Sequence, residues 1–137
     1  MSTSTPTSHA FDQAIALQPQ DTNLFAGATS DAYQNMVGPF GGVTAATLLN
    51  AVLQHPERIG EPISLTINFA GPVQPGAFAI EATPIRTNRS TQHWLLLQRY
   101  RLFCYPPRNL VGTTTAHASG GCRRQFAAGL AHGTQLV

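Results

Sequence analysis

A chain of 137 residues is long enough for one domain with a modest core, and its 42% apolar content excludes an intrinsically disordered protein. Only 10% of the residues are charged, against about 25% in an average soluble domain, so we expect a second copy to cover part of the surface. The net charge of +2 is too small to indicate a nucleic-acid partner.

The two cysteines, Cys104 and Cys122, form neither a disulfide framework nor a spacing typical of a metal site. We therefore expect free thiols in a reducing compartment and no bound metal. Residues 1–10 carry neither the basic start nor the apolar run of a secretory signal, and no uncharged apolar stretch reaches the roughly 18 residues of a membrane span. These features predict a cytoplasmic protein that does not enter the membrane.

The N-terminal part of the chain contains a Ser/Thr/Pro-rich segment and then two short alternating runs. Residues 1–10 are predicted to be a disordered N-terminus, and residues 11–105 to be the folded domain. Around Ile15 and again around Leu24, apolar residues alternate with small or polar ones, and the turn-forming residues 18–23 separate the two runs. This pattern predicts a hairpin of two short strands, or one strand with a bulge.

The clearest helical pattern lies between Met36 and Pro56, where apolar and polar residues recur with a period of about 3.6 residues. The apolar side consists of Val43, Ala45, Ala46, Leu48, Leu49, Val52 and Leu53, and the polar side of Thr44, Thr47, Asn50 and Gln54. Pro56 lacks a donor N–H and is expected to end the helix near His55. We expect Leu49 to be buried between this helix and a sheet.

Three strands are predicted after the helix, at residues 63–69, 77–85 and 91–105. The alternating apolar positions are Ile63, Leu65, Ile67 and Phe69 on the first strand and Phe78, Ile80 and Ala82 on the second. The third strand is apolar on both faces around Trp94, as in a central strand or one at an interface. One long helix followed by such strands predicts an α+β fold in which the helix packs on an antiparallel sheet.

The last part of the chain differs from the rest in its charged residues and in its lack of an apolar period. No Asp or Glu follows Glu81, and five of the eight Arg residues lie from Arg99 onward. The glycines after Pro106-Pro107 recur without periodicity, so we assign residues 106–137 to an atypical tail of uncertain structure. The arginines are neither dense nor interleaved with aromatic residues, which argues against a nucleic-acid-binding arm.

These segments together resemble the hot-dog fold, in its acyl-CoA thioesterase branch of the TesB and thioesterase-like superfamily type. The resemblance covers about residues 11–98 and rests on Gly38-Pro39-Phe40-Gly41-Gly42 before the helix, on residues 64–75, and on Arg86-Thr87-Asn88-Arg89-Ser90 before the third strand. It implies one long central helix on an antiparallel sheet. It also implies an acyl-CoA-type small molecule as partner, coenzyme A as part of the substrate rather than a separate cofactor, and a homo-oligomer.

The sequence departs from this branch in two respects. Its members usually carry two hot-dog repeats, with a polar catalytic set of Asp, Thr and Gln in the second, and here only a first repeat is visible. The final strand and the short Arg- and Trp-containing ending of the family are not found after Gln98. A divergent tail, a truncated product and a shifted reading frame are the competing explanations, and the loss of acidic residues and periodicity favours the latter two.

Candidate site residues fall into three groups. Backbone N–H groups of Gly41, Gly42 and Val43 at the start of the helix are predicted to stabilise an oxyanion, although Gly41-Gly42 is explained equally well by a tight turn onto the sheet. Candidates for activating or orienting water are Asp31, Asn35 and Thr44. Arg86 and Arg89 are candidates for the phosphates of coenzyme A.

Each of these side chains also has an ordinary structural explanation. Asp31 fits a solvated loop residue better than a base, and Thr44 fits a polar face or an interface equally well. Arginines at an exposed turn are more often simply solvated. His55 and His93 are isolated in the sequence, and an isolated His is usually structural.

Three functions follow from these observations. The first is an acyl-CoA thioesterase-like domain that binds or hydrolyses an acyl-CoA thioester. The second is a non-catalytic acyl-binding or dimerisation half of a double hot-dog protein. The third is a truncated or frame-altered inactive product. The glycines at the start of the helix favour the first, and the lack of a carboxylate on the helix favours the other two.

Overall fold

The computed structural model describes residues 8–69, 71–100 and 112–119 of the chain. Its helices are α1 (Ala10–Ala14), α2 (Gly41–Leu53) and a short 3-10 helix at Asp31–Tyr33. Its strands are β1 (Gln18–Asp21), β2 (Leu24–Ala28), β3 (Gln34–Asn35), β4 (Gly38–Pro39), β5 (Glu61–Asn68), β6 (Ala77–Thr87), β7 (Thr91–Tyr100) and β8 (Gly112–Ser119).

Six of these strands form one antiparallel sheet in the order β1-β2-β6-β7-β8-β5. Helix α2 packs against one face of this sheet and contacts β5, β6, β7 and β8. Strands β3 and β4 form a separate small hairpin that leads directly into α2. The predicted α+β fold, one long helix on an antiparallel sheet, is confirmed.

The N-terminal hairpin is present, but its first strand lies three residues further along than the sequence suggests. Gln18–Asp21, which the sequence assigns to the turn, is β1, and it pairs with β2 up to the contact between Asp21 and Leu24. The turn is only Thr22-Asn23, and the Asp21 carboxylate accepts from the Thr22 N–H at 2.7 Å. A Pro at position 19 is compatible with this strand because β1 is an edge of the sheet.

Helix α2 ends at Leu53, close to the predicted end near His55, but its buried face agrees with the predicted apolar side only at Val43, Leu48 and Val52. The side turned toward the sheet is formed by Thr44, Thr47, Leu48, Ala51 and Val52, at the spacing i, i+3, i+4, i+7 and i+8. Leu49 is only half-buried, and Leu53 is exposed. Thr47 can turn inward because its hydroxyl donates to the Val43 carbonyl at 2.8 Å, which satisfies the polar atom inside the helix itself.

The core lies between α2 and the central strands. Ala82 on β6 is opposite Leu96 on β7, and this register brings the inward-facing residues of both strands onto one face. The buried cluster comprises Leu17, Phe25, Leu48, Ala51, Val52, Phe78, Ile80, Ala82, Trp94 and Leu96. The alternation predicted for the second strand after the helix therefore contributes to the core, and one of the two apolar faces predicted for the third strand joins it.

Strand β5 follows its predicted alternation only in part. Leu65 and Ile67 pack against the core, as expected. Ile63 is exposed because the pairing with β8 shifts register between Pro62 and Ser64, which turns this residue out of the alternation. Phe69 lies beyond the last residue of β5 and is also exposed.

Strand β8 lies within residues 106–137, which the sequence assigns to an atypical tail. It pairs with β7 on one side and β5 on the other, so the sheet continues past the predicted boundary at residue 105. Its residues are mostly Thr and Ala, which give no apolar alternation to recognise. The rest of that tail, Cys104, Cys122 and the predicted extension of the third strand past Tyr100 lie outside the described residues. Within the described ranges, no helix has the length and apolar character of a membrane span.

Candidate functional site

The first turn of α2 leaves two backbone donors available. Phe40 precedes the helix with extended backbone geometry, and its side chain makes no capping hydrogen bond. Its carbonyl accepts from the N–H groups of Val43 at 3.0 Å and Thr44 at 3.3 Å. The Val43 N–H is thus already used, whereas those of Gly41 and Gly42 have no acceptor within the described part of the chain. Two of the three predicted oxyanion donors remain free.

Both glycines are explained by aromatic rings that lie against this turn. A Cβ on Gly42 would lie 2.5 Å from the Phe40 ring, and one on Gly41 would lie 3.3 Å from the Phe69 ring. Neither glycine has positive φ, so close approach of the rings, rather than backbone strain, is the reason for glycine here. Phe40 and Phe69 are 56% and 53% exposed, and they form an apolar surface on either side of the free amides.

A cleft lies beside this turn, between α2 and the part of the sheet formed by β2, β6 and β7. It occupies about 270 Å³ including the space that opens to solvent, and its enclosed part has room for about one water molecule. Its walls are formed by Ala14, Ala28, Thr29, Ser30, Tyr33, Pro39, Val43, Thr44, Thr47, Phe78, Gln98 and Tyr100. None of these twelve side chains is a carboxylate, a histidine or a cation.

The sheet side of the cleft carries polar groups that the protein leaves unpaired. Gln98 is only 4% exposed, yet its side chain has no hydrogen-bond partner among the described residues. The hydroxyl of Tyr100 is likewise buried without a partner. The Phe78 ring holds the Tyr100 ring at 5.7 Å between centroids. Burial raises the pKa of the Tyr100 phenol, so this hydroxyl is uncharged and able to donate at neutral pH.

The predicted water-handling residues are distributed unevenly around the cleft. Thr44 lies in its wall and is buried. Asp31 is exposed on the 3-10 helix, in sequence between two residues of the cleft wall, but is not itself part of that wall. Asn35 is also exposed, and its Oδ1 accepts from the Val37 N–H at 2.9 Å, which fixes it within the β3–β4 hairpin.

The two arginines predicted to meet phosphates lie elsewhere. Arg86 and Arg89 are exposed at the β6–β7 hairpin, where the Arg86 Nε donates to Asn88 Oδ1 at 3.3 Å. Arg86 is opposite His93, which stands seven residues before Tyr100, a separation of about 23 Å along an extended strand. The structure does not bring these arginines to the cleft.

Gln98 and Tyr100 were missed as site residues by the sequence reasoning. A signal for them exists in the alternation of β7, because both share a face with the buried Trp94 and Leu96. A polar residue in phase with buried apolar ones requires either a partner or a function.

A second buried polar cluster lies at the opposite end of α2. The backbone N–H of Glu57 donates to His55 Nδ1 at 3.1 Å, so Nδ1 is unprotonated and Nε2–H donates to Asn23 Oδ1 at 2.8 Å. The His55 ring lies edge-on to Trp94, 4.6 Å between centroids. Burial lowers the pKa of His55, while Glu57 acts in the opposite direction. His55 therefore has a structural role, as expected of an isolated histidine.

Comparison with known families identifies a region that contains α2 and nine of the twelve cleft-wall residues. A family described as acyl-CoA thioesterase N-terminal domain matches residues 30–102, slightly more than half of the chain. No curated protein sequence gives a significant match.

Solved structures show the same fold. A hot-dog protein of unknown function from Alicyclobacillus acidocaldarius is 48% identical, with a TM-score of 0.73 over 82% of this chain and 40% of its own. The acyl-CoA thioesterase II TesB2 from Mycobacterium marinum is 14% identical, with a TM-score of 0.64 over 84% of this chain and 40% of its own. A mutant of the phenylacetic acid degradation protein PaaI from Thermus thermophilus is 16% identical, with a TM-score of 0.64 over 81% of this chain and 98% of its own.

These matches confirm the hot-dog resemblance. The likeness to the last two proteins, at low identity, concerns the fold alone. The chain spans less than half the length of the Alicyclobacillus and Mycobacterium proteins.

Proposed function

Because the chain belongs to the family of acyl-CoA thioesterase N-terminal domains, we propose that it binds an acyl-CoA thioester at the first turn of α2. The observation that carries this proposal is the pair of free N–H groups at Gly41 and Gly42, at the start of a 13-residue helix and next to a cleft. The thioester carbonyl would accept from these amides, and the helix dipole favours the negative charge that develops there during hydrolysis. The acyl group would enter the cleft.

Hydrolysis also needs a base, and the described residues provide no obvious one. No carboxylate or histidine lines the cleft, and Asp31 lies exposed beside it. A second subunit or a second repeat would then have to complete the catalytic set. This observation favours the second candidate function, a non-catalytic acyl-binding half, over a self-sufficient thioesterase. Coenzyme A takes part only as the carrier in the substrate, and the phosphate-binding role of Arg86 and Arg89 stays a prediction.

Self-association is part of the proposal. Strand β5 is an edge of the sheet, and unpaired edges tend to pair with another chain. Near its end, the exposed Phe69 lies with Phe40 against the first turn of α2, and Met36 and Val37 are also exposed at the turn of the β3–β4 hairpin that precedes this helix. We propose that a second copy covers this surface in the cytoplasm. A monomer in sedimentation at micromolar concentration would contradict this.

The test of the site is the Gly42→Ala variant. An added Cβ would push the Phe40 ring from its place over the first turn and obstruct the approach to the free amides. We expect acyl-CoA affinity to fall roughly tenfold, the loss typical of one or two hydrogen bonds, with little change in secondary structure. The matched control is Ala46→Val, which adds bulk further along the same helix outside the cleft wall and should leave affinity unchanged.

Binding is measured by titration with a non-hydrolysable thioether analogue of an acyl-CoA, and turnover with the corresponding thioester. Binding without turnover would support the acyl-binding half, and turnover that Asp31→Asn abolishes would identify Asp31 as the base. Equal affinity of Gly42→Ala and the unaltered protein would remove the start of α2 as the site.

A further inference from the structure

The sheet side of the cleft presents hydrogen-bonding side chains that make no hydrogen bond within the described residues. Gln98 and Tyr100 stand two residues apart on β7, on the face covered by α2, and both belong to the cleft wall. The Tyr100 hydroxyl is fully buried without a hydrogen-bond partner, and the Gln98 side chain, which is 4% exposed, makes no hydrogen bond within the described residues. A fully buried unpaired hydroxyl such as that of Tyr100 costs free energy in the unliganded protein and is rarely kept without a use.

The opposite wall adds further hydrogen-bonding capacity. Thr44 and Thr47 line the cleft from α2, and Thr47 uses its proton on the Val43 carbonyl, which leaves its oxygen able to accept. The rest of the wall is mixed, since Val43 and Phe78 are apolar whereas Thr29, Ser30 and Tyr33 carry hydroxyls. A ligand group that reaches this place therefore meets both donors and acceptors.

The chemistry of the wall restricts what that ligand group is. A purely aliphatic chain would leave Gln98 and Tyr100 unpaired in a site that it had dried. A carboxylate would be buried without a cation, since no Arg, Lys or His lines the cleft. A hydroxyl both donates and accepts, so it can pair with a phenol and an amide together. The enclosed space has room for about one water molecule, which is also the size of a hydroxyl.

We propose that the cleft selects short acyl thioesters that carry a hydroxyl on the acyl chain, with Gln98 and Tyr100 as the residues that recognise the hydroxyl. This inference rests on the proposed function, because it needs the thioester at the start of α2. The first turn of the helix, with its free amides, leads directly into Val43 and Thr44 of the cleft wall. A short chain is expected because the enclosed part of the cleft has room for only about one water molecule.

The experiment compares thioether analogues of butyryl-CoA and β-hydroxybutyryl-CoA on the unaltered protein, Tyr100→Phe and Tyr33→Phe. The unaltered protein should bind the hydroxylated analogue roughly five- to tenfold more tightly, as expected for one well-placed neutral hydrogen bond. Tyr100→Phe should reduce this preference to less than about twofold. Tyr33→Phe removes a phenol hydroxyl from the same cleft wall, one that is not among the buried unpaired atoms, and should keep the preference.

A second measurement does not depend on any ligand. If the Tyr100 hydroxyl is unpaired in the free protein, Tyr100→Phe should leave the melting temperature unchanged or raise it. A clear fall in melting temperature would show that the hydroxyl has a structural partner and would overturn the inference. If Tyr100→Phe does not fold, Gln98→Leu replaces it in both measurements with the same expectations.

The outcomes separate the two proposals. Equal affinity for both analogues, or a preference that survives Tyr100→Phe, would overturn the hydroxyl selectivity and leave the proposed acyl-CoA site intact. Binding of neither analogue would overturn the proposed function, and the selectivity with it. Loss of the preference in Tyr100→Phe but not in Tyr33→Phe supports both.

Discussion

Two glutamines on strand β7 occupy the same kind of position and have opposite surroundings. Gln92 and Gln98 face the helix-covered side of the sheet and are 1% and 4% exposed. Gln92 donates from Nε2 to the Glu57 carbonyl at 3.0 Å and to Thr87 Oγ1 at 3.1 Å, and its Oε1 accepts from the Ile59 N–H at 3.3 Å. Gln98 has no such partner among the described residues.

The difference separates polar groups that hold the fold together from polar groups that are open to a ligand. At the end of α2, Gln92 and His55 fasten the following loop to the sheet, and their polar atoms are used within the protein. At the start of α2, Gln98 and Tyr100 line a cleft, and the Tyr100 hydroxyl has no hydrogen-bond partner. Trp94 is an exception at the C-terminal end of α2. Its indole N–H is buried beside His55 without a hydrogen-bond acceptor.

The largest effect on the free energy of unfolding is expected from replacing Gln92 with leucine, and the matched replacement of Gln98 is expected to have little effect. Gln92→Leu leaves the Glu57 carbonyl and the Ile59 N–H without a side-chain partner, so it should lower the free energy of unfolding by about 3 kcal/mol. Gln98→Leu removes no hydrogen bond within the described structure and should change this free energy by less than about 1 kcal/mol. Urea denaturation of both variants measures the two values. Equal losses would show that the two positions do not differ as described.

Acidification is expected to have a smaller effect on the free energy of unfolding. Burial holds the pKa of His55 below its ordinary value of 6.5, so the unfolded chain takes up a proton at a higher pH than the folded protein does. The free energy of unfolding should be constant above that value and should decline as the pH falls below it, by at most about 1.4 kcal/mol per pH unit for one proton. Glu57, the carboxylate that acts on this ring, opposes the shift, and Phe25 and Trp94, which pack against it, are uncharged.

The matched variant for this pH dependence is His55→Gln, which cannot titrate. At neutral pH this variant is expected to be less stable than the unaltered protein. Its stability is expected to change little as the pH falls from 7 to below 6.5. A pH dependence as steep in His55→Gln as in the unaltered protein would assign the effect to another group. Thermal unfolding followed by circular dichroism at a series of pH values provides both curves.

Much of the architecture was predictable because its apolar pattern is local. The alternation of Phe78, Ile80 and Ala82, and the helical period before Pro56, each follow from neighbouring residues and reappear in the structure. The buried face of α2 was not predictable in the same way. Thr44 and Thr47 count as polar in a pattern, whereas Thr47 is satisfied inside its own helix and packs toward the sheet.

The site was predictable only where it coincides with a helix terminus. Gly41 and Gly42 were found because a Gly-Gly pair before an apolar helix signals exposed amides, although the sequence does not indicate that the Phe40 and Phe69 rings lie against them. Gln98 could not be distinguished from Gln92, since the two share a strand, a face and a residue type. Only the packing of the loop after α2 onto one of them sets them apart.

The most direct test of the account is the amide NMR spectrum of the isotope-labelled protein during titration with the β-hydroxybutyryl-CoA thioether. The backbone amides of Gly41 and Gly42 and the side-chain amide of Gln98 are expected to shift together with one dissociation constant. The side-chain amide of Gln92, bound to the protein at the other end of α2, is expected to stay in place. Saturable shifts confined to other parts of the chain, with Gly41, Gly42 and Gln98 unmoved, would contradict the claim that the start of α2 and its cleft form the binding site.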